Sequence, residues 1–400
     1  MICNRNIYNV LIILLLPIQY SFQTDLYTNL LLILESKWKT ENKSIILIYA
    51  IKFSVNIAAI VFGIAGIFIY YRIRNRKLFI SIGFIINSIV YFSYFCINEE
   101  RLWVLIILRT FNGIFLGLFD SITIFYLYHF VSSNYQAFFG YLIQTVMFLG
   151  LVLMSLILYA LRWQYLVVIL GIQCLLISGL IWIIPEISIP QKSITHDYIT
   201  SKNHRFNLFI LVFIMLLQQF SGIGTCVNNV PRMLTGIGLD IDNHLQKALM
   251  NSIGCLSTFI GSFATVTISR NYLWALSSLG MCAALIIYSI TLMSNIGNWV
   301  GTFGVFLFFT FYGLGQGPIP WLLCGELFPE SVRIESGAIT ITVNMLLGLI
   351  FHFVNESITD SADEFGSIMF NAAMNFVAMF VGLFLIPVKR NEYYYNDNLM

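Results

Sequence analysis

The segment Gly315-Gln316-Gly317-Pro318-Ile319-Pro320-Trp321 places two prolines and two glycines in a stretch that is otherwise apolar. Proline removes a backbone donor, so a helix here bends or breaks. At membrane depth that is tolerated only where protein or a water-filled cavity takes up the freed groups. The segment reads either as a bending gate or as an inert kink, and composition leaves both open. A second group is the pair Gln218-Gln219, inside the apolar run 207–235. An uncharged amide both donates and accepts hydrogen bonds, and left unsatisfied in hydrocarbon it costs several kcal/mol. Two adjacent amides therefore imply use, either by a polar ligand or by bonding to a neighbouring helix, which is worth about 0.6–2 kcal/mol per contact. A third group is Arg109 and Asp120, on nearly one face of one helix and roughly 16 Å apart along it. An ionisable group at such depth is a functional candidate by default. The other reading of Asp120 is a protonated, hydrogen-bonded side chain. Lys52 lies near a helix end, where its amine snorkels outward.

These residues can bind and bend, but nothing beside them makes or breaks bonds. The five histidines form no H-E-x-x-H, and P-loop, G-x-G-x-x-G and G-x-S-x-G patterns are absent. No cofactor or metal is implied, and an enzyme is not expected. The seven cysteines lie mostly in apolar runs without C-x-x-C spacing, as small core residues do. A net charge of +2, with basic residues scattered in loops, leaves no footprint for nucleic acid.

The elements that must position these groups follow from composition. A chain of 400 residues that is 58% hydrophobic and only 10% charged needs lipid as its partner solvent. Arg5 followed by Val10–Pro17 imitates a secretory signal, but no small-x-small cleavage site follows, so an uncleaved first helix is expected. Apolar runs of spanning length fall near 7–33, 45–71, 77–96, 101–130, 136–160 and 164–184, then near 207–235, 246–268, 272–294, 299–323, 336–357 and 365–387. The fold class expected is an all-α membrane protein of twelve transmembrane helices in two six-helix halves. The first half is 1–186, the second 207–388, with a short cytoplasmic linker at 187–206 and a cytoplasmic tail at 389–400. Both termini are expected in the cytoplasm. That orientation gathers the cluster Arg72, Arg74, Arg76 and Lys77 inside with Lys202, Arg205, Arg270 and Arg333. The sequons at Asn42 and Asn355 then face outward.

The motifs resemble those of the sugar porters of the major facilitator superfamily. That family carries G-P-G-P-I-P-W in its tenth helix, matched here by Gly315 to Trp321 with Gln316 for the first proline. The Glu326-Leu327-Phe328 run and Arg333 match its cytoplasmic end. Gln218-Gln219-Phe220-Ser221-Gly222-Ile223 resembles the family's Q-Q-x-S-G-I-N, and the run from Arg109 through Gly113, Gly117, Tyr126 and Gly140 to Gln144 resembles helices four and five. The resemblance implies the major facilitator fold and facilitative transport of a monosaccharide, a hexose such as glucose, by alternating access. It implies substrate binding by Gln144, Gln218, Gln219 and Asn344, with Ser257 and Trp321 completing the site. Gly315, Gly317, Pro318 and Pro320 would serve as hinge, with Glu326, Arg333, Arg72 and Arg109 in conformational control; Asp120, where the family position is usually small and uncharged, joins that group on its depth and not on the resemblance. The partners implied are the monosaccharide and the lipid bilayer, with the plasma membrane as location; oligomeric state is open.

Departures from the family pattern thin this site. Gly224 replaces a sugar-binding asparagine, Ser257 a second, Gly313 a glutamate, and Met345 a tryptophan that packs on the sugar. The latches are reduced too. Tyr71-Arg72-Ile73-Arg74-Asn75-Arg76 stands for D/N-R-x-G-R-R, His129 and Gln136 replace a glutamate and an arginine, and P-E-S-P-R becomes Pro185-Glu186-Ile187-Ser188-Ile189. Losing such charge pairs should favour the inward-open state. Proton-coupled relatives carry a first-helix aspartate where this chain has Gln23, with Asp25 around the helix. Uniport is therefore expected, with proton symport or a non-transporting sugar sensor as the alternatives. Sensor relatives carry long cytoplasmic tails, unlike the dozen or so residues expected here.

Overall fold

The computed structural model describes residues 4–23, 26, 45–97, 101–132, 135–187, 201–236, 241–294 and 299–387. Asp25, the Asn42 sequon, the middle of the expected linker and the expected tail lie outside them. The helices are α1 (Asn4–Ile13), α2 (Ile45–Arg72), α3 (Arg76–Ser93), α4 (Leu102–Phe130), α5 (Gln136–Ala160) and α6 (Trp163–Leu180), followed by α7 (Lys202–Phe220), α8 (Ile223–Gly236), α9 (Asn243–Ala264) and α10 (Arg270–Met293). α11 (Trp299–Phe311) runs through a π turn (Tyr312–Gln316) into α12 (Ile319–Glu326), and α13 spans Arg333–Leu385. No strand forms among the described residues. In hydrocarbon every backbone donor and acceptor must be satisfied within the chain, and apolar runs of this length do so as helices.

Helix ends sit where side chains can close them. Asn75 accepts the Leu78 amide at 3.3 Å to start α3, and Asp242 accepts those of His244 and Leu245 at 2.8 and 3.3 Å to start α9. α13 is two helices joined at Ala362 and Asp363, whose backbone angles are non-helical, with φ of Asp363 at 58°. Between α7 and α8, Gly222 has φ 91°, and a Cβ there would lie 2.7 Å from the Asn371 amide nitrogen. Only glycine fits that break.

Nine helices among the described residues are long and apolar enough to cross a membrane. Counting both arms of α13 separately and adding α9 and the first helix gives the twelve expected passes. α9 falls below the others because Gln246, Lys247, Asn251 and Ser257 line its buried face. Large apolar side chains such as Phe68, Val266 and Phe384 lie on the outside, the reverse of a water-soluble domain.

Contacts divide the chain into two compact units. Unit 1 comprises Met1–Ser132, Val146–Ile199 and Glu330–Ile350; unit 2 comprises Ser133–Thr145, Thr200–Pro329 and Phe351–Met400. The units therefore cross the sequence halves: the start of α5 packs within unit 2 and the first part of α13 within unit 1. In unit 1, α2 and α4 meet backbone to backbone, since a Cβ on Gly113 would fall 2.3 Å from the Val55 carbonyl. α3 is tied to α6 by Ser81 and Ser178, whose hydroxyls are 2.7 Å apart, and by Ser88 donating to the Gly171 carbonyl at 2.8 Å. Phe84, Phe115 and Phe119 fill the space between α3 and α4, with ring centroids 4.7 and 4.6 Å apart in succession.

Candidate functional site

Unit 2 is organised around the broken span α11–α12. The π turn leaves carbonyls at Gln316 and Gly317 without helical partners, and the Gln218 side-chain amide donates to both at 2.9 Å. Its nitrogen also lies 3.4 Å from the Tyr312 hydroxyl. Pro318 occupies the N-cap of α12 and Pro320 its first turn, where a backbone N–H would have no helical acceptor anyway. The prolines thus begin a new helix rather than damage an old one.

Gln316, the departure from the family motif, is fully buried and acts as a second brace. Its backbone N–H donates to Ser277 Oγ at 2.9 Å, and its side-chain amide donates to Ser278 Oγ at 2.8 Å and Asn375 Oδ1 at 3.0 Å. Asn375 in turn donates to the Ser221 carbonyl at 3.0 Å, beside the Gly222 break. The two broken spans are therefore joined through α10 and the second arm of α13 by one chain of amides. Reading the sequence missed this role for Gln316 and Asn375. The available signal was a long amide side chain held between glycines in an apolar span.

The start of α5 is held in unit 2 by the Tyr141 hydroxyl donating to the Leu314 carbonyl at 3.3 Å and by Phe138 against Phe263 at 5.2 Å. That placement brings Gln144 into the unit that holds Gln218, Gln219, Ser257 and Trp321. Gln144 is buried and Gln219 half-buried, and neither amide makes a hydrogen bond among the described residues. Gln218, by contrast, spends its N–H groups on the hinge. Ser257 donates to the Thr310 carbonyl, and Trp321 is buried. A Cβ on Gly224 would meet nothing within 4 Å, whereas one on Gly313 would lie 2.8 Å from the Gly254 carbonyl.

Asn344 belongs to unit 1, where its Oδ1 accepts from the Tyr20 hydroxyl at 3.2 Å. Arg109 is buried there and donates from Nε to the Ile51 carbonyl at 2.9 Å. Asp120 is also buried, and its Oδ2 has no partner among the described residues. Arg72 is exposed at the end of α2.

The residues expected at the latches are partly engaged. Arg270 Nη2 and Glu326 Oε1 pair at 3.0 Å in unit 2, and Arg333 stacks over the Tyr128 ring at 5.4 Å in unit 1. His129, which stands for a family glutamate, meets Glu330 at 2.7 Å, a contact the motif comparison did not anticipate. Glu186, left over from the reduced P-E-S-P-R motif, accepts the Arg76 backbone amide at 3.1 Å, while Arg76 Nη1 donates to the Ile187 carbonyl at 2.8 Å.

The sequence pattern of the family described as "Sugar (and other) transporter" matches residues 184–395, more than half of the chain. This chain belongs to that family. A facilitated trehalose transporter of Apis mellifera ligustica is 24% identical over 197 residues, 48% of this chain and 39% of the relative. Trehalose transporter 1 of Drosophila melanogaster is 24% identical over 192 residues, 46% of this chain and 22% of the relative. The match thus spans well under half the length of these relatives. Among solved structures, the proton:xylose symporter XylE of E. coli superposes with a TM-score of 0.82 at 16% identity, covering 96% of this chain and 97% of that one. The fucose:proton symporter FucP of E. coli shares the fold more distantly. The sugar-transporter chain has the all-α, multi-pass major facilitator fold.

Proposed function

We propose that this member of the sugar-transporter family carries a monosaccharide, a hexose such as glucose, down its gradient by alternating access. The sequence halves 1–186 and 207–388 are its moving bodies in this reading. The observation that carries it is the contrast between adjacent amides in unit 2. Gln218 is consumed by the hinge, while Gln219 and Gln144 of the same unit have no hydrogen-bond partner among the described residues and are matched in polarity to sugar hydroxyls. Uniport is supported by Gln23, a neutral side chain, at the position where proton-coupled relatives carry an aspartate, and by the backbone carbonyl that Arg109 bonds. The distribution of lysine and arginine supports cytoplasmic termini, and the plasma membrane is the location proposed with them.

A disaccharide is the second reading. The trehalose transporters among the relatives favour it, and so does the open space beside Gly224, where a family member's asparagine side chain would stand. Counterflow into liposomes holding the full chain, with glucose, xylose and trehalose as competing sugars and with and without an imposed pH gradient, tests both. Glucose counterflow without gradient-driven accumulation is expected. Trehalose outcompeting glucose replaces the hexose with the disaccharide, gradient-driven accumulation replaces uniport with symport, and no counterflow with any sugar overturns the transport reading.

A further inference from the structure

Asp120 is a buried carboxyl that the transport reading does not use. It is 7% exposed, near the middle of α4, and its Oδ2 is enclosed without a hydrogen-bond partner. No ion pair reaches it among the described residues. A bare carboxylate in an apolar interior costs several kcal/mol, so the group demands a proton or a cation.

Its surroundings favour the proton. From the segment after α1 the facing group is Tyr20, whose hydroxyl bonds Asn344 at 3.2 Å, and from α2 it is Tyr70, whose hydroxyl bonds the Leu118 carbonyl; both lie within electrostatic range of Asp120. On α4 itself the neighbouring polar groups are Ser121, which bonds the Leu118 carbonyl at 3.2 Å, and Thr123, which bonds the Phe119 carbonyl at 3.4 Å, with Tyr126 further along the helix. From α13 the backbone comes closest at Gly337, where a Cβ would lie 2.7 Å from the Ser121 carbonyl. The charged residues of segment 330–350 are Glu330, which meets His129, Arg333, stacked on Tyr128, and the buried Glu335, two residues before Gly337. The Tyr20, Tyr70 and Ser121 hydroxyls are already engaged, and the Tyr126 hydroxyl, which has no partner among the described residues, leaves too few ligands to replace the water shell of a metal cation.

Segment 330–350 is thus seated on α4 with Gly337 against the Ser121 carbonyl, next in the chain to a carboxyl that has no partner among the described residues. We propose that Asp120 is a proton-binding site linked to that seating: it is protonated while segment 330–350 lies on α4, and it ionises when the segment withdraws and water reaches it. One proton is taken up on seating and released on withdrawal. Since the seated form holds the extra proton, acid favours seating and rising pH favours withdrawal. For a single proton the dependence is at most about tenfold per pH unit. The inference requires the segment to move, as in the transport cycle proposed above, but it does not depend on which sugar is carried.

The test is labelling of a reporter cysteine, Ala338→Cys, by a membrane-permeant maleimide in the full chain in nanodiscs, followed on the reporter peptide by mass spectrometry. Rates are compared between the native background and Asp120→Asn at each pH, so that the thiol's own titration cancels. The expected result is a ratio of native to Asp120→Asn labelling that rises about tenfold or more across the titration of one proton, with Asp120→Glu retaining the rise. Asp120→Ser serves as the neutral variant if Asp120→Asn does not fold. A ratio that is flat with pH overturns the proposal, as does one that answers to sodium instead. Because labelling needs no sugar, absent counterflow with an intact pH response would sink the hexose reading alone.

Discussion

The hinge cluster of unit 2 and the carboxyl at Asp120 in unit 1 are buried polar groups treated in opposite ways. Around the hinge the side-chain N–H groups of Gln218, Gln316 and Asn375 are all spent on carbonyls, hydroxyls or amides, and what that cluster leaves unsatisfied is oxygen, Gln316 Oε1 and Asn371 Oδ1. An under-used carbonyl oxygen costs less than an orphaned donor, so this cluster is a finished structural joint. In unit 1 Asp120 has neither donor nor counter-ion among the described residues, and such a group marks a place where another state or a ligand can satisfy it. Satisfied amides therefore mark architecture and unsatisfied groups mark function. That rule also separates neighbours in sequence, as Gln218 and Gln219 show.

Restoring the family's own residue gives the strongest way to break the comparison. Gln316→Pro removes the donor to Ser277 and both side-chain bonds, to Ser278 and Asn375. At about 1 kcal/mol per bond, the loss expected is about 3 kcal/mol, seen as a lowered melting temperature in detergent or nanodiscs. A variant as stable as the native chain would show that the amide joint contributes nothing. Gln218→Leu is expected to cost about 2 kcal/mol, because two hinge carbonyls lose their donor. Gln219→Ala should leave the melting temperature unchanged yet weaken sugar affinity about tenfold, roughly 1.4 kcal/mol. Equal thermal shifts for the two would erase the distinction between brace and ligand group.

Much of the fold was legible because membrane passage leaves a coarse signal. From residue 45 onward, apolar runs of spanning length, interrupted by Arg72–Lys77, by the linker and by Ala362–Asp363, coincide with the helices within a few residues, while the first run extends beyond the described residues. The site was legible only as a set of polar residues. Gln218 and Gln219 read alike, since spacing does not reveal which way each amide turns at a helix break. The π turn from Tyr312 to Gln316 was hidden because it depends on tertiary partners, Ser277 and Gln218, distant in the chain. Grouping of 133–145 with unit 2 and 330–350 with unit 1 was hidden for the same reason. Hydropathy gives the passes, not their neighbours.

The smallest effect belongs to the latches, and it extends the same contrast to charge. Arg270–Glu326 is an ion pair whose acid side chain is 6% exposed, while His129–Glu330 is shorter but has side chains 36% and 46% exposed. Distance alone would rank the second stronger. Water and salt screen exposed charges, and measured exposed pairs are worth about 0–1 kcal/mol, whereas breaking a buried pair leaves one charge stranded at a cost of about 3 kcal/mol or more. A double-mutant cycle of His129→Ala and Glu330→Ala is therefore expected to give a coupling below about 1 kcal/mol that fades as salt rises. The cycle on Arg270 and Glu326 should give the larger coupling and keep it in salt. If the exposed pair proved the stronger, contact distance rather than burial would govern these latches, and the rule drawn from the amides would not carry over to ions.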